Sequence, residues 1–192
     1  KYIQGDLTNV DDVSKACKNV DVVFHIAALV GPYHPNEAYV KVNRDGTANI
    51  LNTCNELGIK RIVMSSSPST RFPYPDPNVN GYSEDDLYEM NNGDFAPVFL
   101  QPYAETKAQG EQIIRDACGS KDSDLLTIAV APHQVYGPND ALFLPSLLST
   151  AASGKLRIFG TGDNLISFCH VDNYCHGLIL GYEALYEGSP AL

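Results

Sequence analysis

A chain of 192 residues can bury a substantial core in one ordinary domain, and 44% hydrophobic against 19% charged residues is globular rather than disordered composition. Thirteen basic and 23 acidic residues leave a net charge of −10, a sign that repels phosphate backbones and excludes nucleic acid as an expected partner. Five scattered cysteines (Cys17, Cys54, Cys118, Cys169, Cys175) without close pairing argue against a zinc site or disulfide framework.

Reduced thiols set the expected location inside the cell, in the cytoplasm or on the cytoplasmic face of the endoplasmic reticulum. No apolar run approaches the roughly 18 residues of a membrane span, and no basic-then-apolar leader occurs. The chain begins without methionine, in what reads as a strand, so a fragment is expected. Membrane association of its parent stays open.

Residues 1–4 read as a strand stub ending at Gly5-Asp6. Residues 10–18 read as a helix started by Thr8 or Asn9, with Asp11 and Asp12 suited to its first turn. Residues 21–28 (DVVFHIAA) form an apolar run expected of a buried parallel strand. Helical spacing of Ala38, Val42, Ala48 and Leu51 predicts a helix over 37–57, stopped by Gly58. Residues 60–66 are the next strand, 103–118 a helix, and 125–131 another strand. Residues 69–101, proline-rich and acidic, read as a long functional loop. Beyond Gly137-Pro138, residues 142–153 read as a helix closed by Gly154. Short strands at 156–159 and 166–170 are expected around a Gly-Thr-Gly-Asp-Asn turn, then a helix over 173–185.

The alternation predicts an α/β fold, a Rossmann-like doubly wound parallel sheet with helices on both faces. Residues 1–138 are the expected nucleotide-binding domain, in part, and 139–192 part of a smaller substrate-binding lobe interleaved with it.

Chemistry concentrates in Tyr103-Ala104-Glu105-Thr106-Lys107. On a helix, i and i+4 share a face, so phenol and ammonium project together. A free tyrosine, with a pKa of about 10, is a poor base near neutrality, and a neighbouring lysine charge favours the phenolate. Such spacing is also common on solvated helix faces. Its context is the serine cluster Ser65-Ser66-Ser67 at the carboxyl end of a strand, where open α/β sheets bind ligands. Ser67 is the expected catalytic hydroxyl, although a loop that merely begins with small polar residues would look the same. Asp6 is placed to accept from an adenine amino group, and Ala27-Ala28 are small enough for close cofactor approach. Asn43 is placed to bind backbone or a water behind the lysine. A turn aspartate, core packing and an exposed asparagine are the plainer alternatives.

These residues resemble the extended short-chain dehydrogenase/reductases from residue 1 to about 185. The marks are Gly5-Asp6-Leu7, Val23-Phe24-His25-Ile26-Ala27-Ala28, Val42-Asn43-Arg44-Asp45-Gly46-Thr47, and Lys60 through Ser67. Tyr103 through Lys107, Val135-Tyr136-Gly137-Pro138 and His170-Val171-Asp172-Asn173 follow in order. Leu125-Leu126-Thr127, Leu144-Pro145-Ser146-Leu147 and Gly154-Lys155-Leu156 resemble the 3β-hydroxysteroid dehydrogenase branch, which includes decarboxylating sterol-4α-carboxylate 3-dehydrogenases.

The resemblance implies an NAD(P)-dependent oxidoreductase, with NAD favoured, acting on a secondary alcohol such as a sterol 3β-hydroxyl. Tyr103 would be the acid/base, Lys107 would hold the nicotinamide ribose, Ser67 would orient the substrate oxygen, and Asn43 would support the proton relay. Asp6 and Leu7 would flank adenine. Ala27, Ala28 and Val30 would line the cofactor groove, and Pro132 and Val135, in a loop after the last sheet strand, would lie near the nicotinamide. His133 would face substrate or simply pack in its loop. A homodimer through the Tyr103 and Asn43 helices is a family-level expectation.

The chain departs from the family in three ways. No G-x-x-G-x-x-G phosphate loop occurs, Pro68 directly follows Ser67, and Ala131 stands where many relatives carry arginine. Two alternatives stand beside this reading. One is a nucleotide-sugar epimerase or dehydratase, or a phenolic reductase, of the same superfamily. The other is a non-catalytic subunit of a larger assembly.

Overall fold

Asn9 starts the first helix, its side chain accepting from the Asp11 amide at 3.0 Å, and Asp11 and Asp12 place negative charge in the first turn. This helix, α1, spans Val10–Cys17 in a computed structural model that describes residues 1–31, 33–71, 83–84, 90–91, 94–95, 99–120, 124–163 and 165–189. Strand β1 (Val23–His25) follows, then a continuous helical rod over 36–57. The rod consists of α2 (Asn36–Tyr39), a π-helical turn (Val40–Asp45) and α3 (Gly46–Leu57). It stops at Gly58, whose φ of 69° is the left-handed conformation glycine adopts at least cost.

Strand β2 (Arg61–Ser65) leads into a 3₁₀ turn (Pro68–Arg71), and β3 (Met90–Asn91) pairs antiparallel with β4 (Asp94–Phe95). Then come α4 (Pro102–Ala117), β5 (Leu126–Val130), β6 (Gln134–Tyr136), α5 (Phe143–Ala152), β7 (Phe168–His170) and α6 (Val171–Glu183).

The main sheet runs β1-β2-β5, all parallel, with β2 in the middle. Alternation along β2 sends consecutive side chains to opposite faces. Ile62 and Met64 join Val13, Cys54 and Ile114 in the core under α1, α3 and α4. Val63 joins Leu178 and Leu185 on the face covered by α6. Burial on both faces explains why β2 reads as an unbroken apolar run. This is the doubly wound α/β architecture expected.

Several expectations need correction. Residues 1–4 form no strand, because no other strand of the chain lies alongside to complete a ladder. The run 21–28 contributes only Val23–His25, at the sheet edge, with Phe24 39% exposed and its ring 6.0 Å from Tyr182. Residues 156–159 are not a strand either. Leu156, Ile158 and Phe159 are exposed, and β7 pairs in parallel with β6 instead, a strand the sequence did not announce. That pairing crosses the expected boundary at 138/139. Within 69–101, the described part holds the 3₁₀ turn and the β3–β4 pair, while residues 72–82, 85–89, 92–93 and 96–98 lie outside the described residues. Asn164 of the expected turn lies outside them too.

Candidate active site

The site forms where α4 lies across the carboxyl end of β2. Gly110 allows that approach: a Cβ there would sit 2.7 Å from the Asn43 carbonyl oxygen and 3.1 Å from Thr47 Oγ1. Tyr103, Lys107 and Glu111 follow one another at four-residue spacing on α4 and so share a face. Each meets one serine of the β2 end. The Lys107 ammonium donates to the Ser65 carbonyl at 2.6 Å, Ser66 Oγ donates to Glu111, and a hydrogen bond with the Ser67 side chain favours the ionised form of Tyr103.

Asn43, in the π-helical turn, is buried and fully used. It accepts from the Leu29 amide at 2.8 Å and donates to the Leu29 carbonyl at 3.1 Å and to Thr106 Oγ1 at 3.3 Å. It thereby ties the loop after β1 to α4, and its partner is backbone rather than a group behind the lysine. Beneath it, Thr47 Oγ1 donates to the Asn43 carbonyl at 2.7 Å, so His25 Nε2, 2.8 Å from the same oxygen, must be the donor. Burial, helped by the Lys107 charge, lowers the His25 pKa to about 4, which keeps the ring neutral.

A cavity of about 690 Å³ opens here. Of the residues singled out in the sequence, Val30, Ser67, Tyr103, Pro132, His133 and Val135 line it, and Val135 does so from strand β6 rather than a loop. Asn43, Lys107, Asp6, Leu7, Ala27 and Ala28 do not. Leu7 turns its side chain beneath Gly46, where an added Cβ would come within 2.7 Å, and packs on the core. Asp6 Oδ1 accepts from the Thr8 amide and hydroxyl, both at 2.8 Å, and these bonds pull its pKa down. Ala27 is exposed and Ala28 half-buried just beyond β1.

The electrostatics correct one expectation. Burial pushes the Tyr103 phenol above its usual pKa, opposed by the Ser67 hydrogen bond, and the Lys107 charge does not reverse that. Burial lowers Lys107 itself to about 8, opposed by the Glu111 carboxylate.

Two features escaped the sequence reading. Tyr174 of α6 lines the cavity, and its hydroxyl is buried without a hydrogen bond of normal geometry among the described residues, although the Ser65 side chain is close enough to favour its ionised form. Arg71 forms a buried ion pair with Glu111. Four-residue spacing from Lys107 pointed to Glu111. Nothing local pointed to Arg71, whose partner lies 40 residues away.

Residues 1–191 match the model of the 3-beta hydroxysteroid dehydrogenase/isomerase family. The chain belongs to that family. Among its relatives, the 3beta-hydroxysteroid-dehydrogenase/decarboxylase isoform 2 of Arabidopsis thaliana is 35% identical, over 98% of this chain and 32% of the relative. The decarboxylating sterol-4-alpha-carboxylate 3-dehydrogenase of Homo sapiens is 34% identical, over 98% of this chain and 48% of the relative. This member of the 3-beta hydroxysteroid dehydrogenase/isomerase family therefore spans between about a third and a half of those relatives. A solved structure of MoeE5 in complex with UDP-glucose and NAD superposes with a TM-score of 0.73 at 28% identity, covering 97% of this chain and 60% of MoeE5.

Proposed function

We propose that the full-length protein is an NAD(P)-dependent dehydrogenase that oxidises a secondary alcohol, the 3β-hydroxyl of a sterol or steroid. The observation that carries this is the convergence of Ser67, Tyr103 and Lys107 at the carboxyl end of β2, two of them on the cavity wall. Family membership and the named relatives support the substrate class.

The residues present fit a dinucleotide in part. The cavity beside Val30, Pro132 and Val135 is open next to Tyr103, and Lys107 is a buried cation one helical turn further on. Those residues would hold the nicotinamide end. NAD is favoured over NADP because the superposed MoeE5 structure contains NAD. When bound, the nicotinamide supplies the hydride acceptor.

The chain's own residues do the rest. The Ser67 hydroxyl holds the substrate oxygen beside Tyr103. The Tyr103 phenolate takes the hydroxyl proton as the carbon is oxidised, and the Lys107 ammonium favours that phenolate. On a 4-carboxysterol, the product is a β-keto acid, which loses carbon dioxide without further help from the protein.

The nucleotide-sugar reading is favoured by the UDP-glucose in MoeE5. Against it, no lysine or arginine lines the cavity among the described residues, and a diphosphate calls for one.

The test incubates the full-length protein with NAD⁺ or NADP⁺ and a 4-carboxysterol, a 3β-hydroxysteroid or a UDP-sugar, following absorbance of the reduced nicotinamide. Turnover of a sterol, reduced about 10²- to 10⁴-fold in Tyr103→Phe, supports the assignment. Turnover of the UDP-sugar alone moves it to the nucleotide-sugar reading. No turnover and no nicotinamide binding reject an enzyme and favour an assembly subunit.

A further inference from the structure

We propose that Arg71 and Glu111 form a positioning pair for the Ser67–Tyr103–Lys107 set, a role that rests on the dehydrogenase reading above. Their ion pair is bidentate, with Arg71 Nη2 2.8 Å from Glu111 Oε1 and Nη1 2.8 Å from Oε2, and both side chains are buried. Neither lines the cavity, so neither touches substrate.

Their reach lies in what else the Glu111 carboxylate holds. Oε2 accepts from Ser66 Oγ, and Thr70 Oγ1 lies 3.4 Å from the same oxygen. Arg71 also donates to the Glu84 carbonyl at 2.9 Å, which Arg115 of α4 shares at 3.0 Å. One carboxylate therefore grips the segment 66–71 on both sides of Ser67. Ser67 in turn is closed inside that segment, its carbonyl accepting from the Thr70 amide at 3.2 Å and the Thr70 hydroxyl at 2.7 Å.

The second route runs along α4. Glu111 lies one turn beyond Lys107, and its charge holds Lys107 in the ammonium form against the burial that opposes it. The other groups around Lys107 are Tyr103 on the same helix, neutral His25 on β1 and the Ser65 carbonyl of β2. None of these carries a negative charge near neutrality, so Glu111 is the balancing anion of the cluster. Arg71 shares that carboxylate and so sets how much of its field reaches Lys107.

The two partners must then act on Lys107 in opposite directions. Lys107 is followed in the full-length protein by ¹³Cε-lysine NMR, its signal assigned by its loss in Lys107→Met. Glu111→Gln should move the Lys107 titration to lower pH and Arg71→Met to higher pH. In steady-state assays both variants should lose about tenfold to a hundredfold in kcat, with little change in KM, because the reacting groups are displaced while the cavity walls remain. Arg71→Lys, which keeps the charge but not the fork, should recover part of kcat.

Folded variants with wild-type kcat and superimposable Lys107 titrations would overturn the proposal and reduce the pair to a structural brace. Should Arg71→Met fail to fold, Arg71→Lys and Glu111→Gln decide the matter by the same two readouts. A wild-type protein that turns over no alcohol fails the dehydrogenase reading itself, whereas an active wild type with unaffected variants fails only this one.

Discussion

Two regions of the chain are built from the same kinds of apolar residue and treat them in opposite ways. Around β2 and α4, Ile62, Val63, Met64 and Ile114 are fully buried. From α5 to β7, Leu148 is 64% exposed, Ile158 82% and Phe159 85%, and α5 buries no residue at all. Hydrophobicity alone does not make a core. A side chain is buried when another element lies across it, and β2 has neighbours on both edges and both faces. The polar groups divide in the same way. Near α4 they are bonded across elements, His25 to Thr47, Asn43 to Leu29 and Thr106, Glu111 to Ser66 and Arg71. Between 140 and 163 the printed bonds stay within four residues of sequence.

The contrast can be broken by substitution. The largest stability loss should come from Ile114→Ala, about 2–5 kcal/mol by urea unfolding, because the cavity would open in the middle of the α4 packing. Gly110→Ala should cost about 1–3 kcal/mol, since its new methyl meets the Asn43 carbonyl and the 36–57 rod must move away. If Gly110→Ala is neutral, α4 is less tightly seated than described. Ile158→Ala, in the open region, should change stability by less than about 0.5 kcal/mol.

A pH experiment sharpens the same comparison. Lys107 loses its proton near pH 8 in the folded chain but near its ordinary 10.5 when unfolded. Between those values the unfolded state binds more protons, so this group makes folding more favourable as pH rises and less favourable below about pH 8. Unfolding in urea across that interval should show the slope in wild type and a shallower one in Lys107→Met. Equal slopes would mean that the amine is solvated.

Much of this was legible before any coordinates. Burial on both faces gave β2 its apolar run, helical spacing marked the rod that ends at Gly58, and the motif pointed to Ser67, Tyr103 and Lys107. What escaped depends on partners distant in sequence. Residues 156–159 look like a strand as well as residues 134–136 do, and only the neighbour at β7 decides between them. Leu7 and Asp6 sat beside a motif, yet one packs under Gly46 and the other closes its own turn. The π-helical turn leaves no trace in a pattern of apolar spacings. Arg71 finds Glu111 only once the loop after β2 folds back on α4.

That π-helical turn makes the chain's length, and not only its composition, part of the site. Removing any one residue from Val40–Asp45 would restore ordinary helical winding and turn one end of the rod by about 100° against the other. Tyr39, whose ring centre lies 6.4 Å from that of Tyr103, and Thr47, bonded to His25, could not both keep their places. A deletion there, even of an exposed residue such as Lys41, would unpick both ends at once, where a substitution would disturb one.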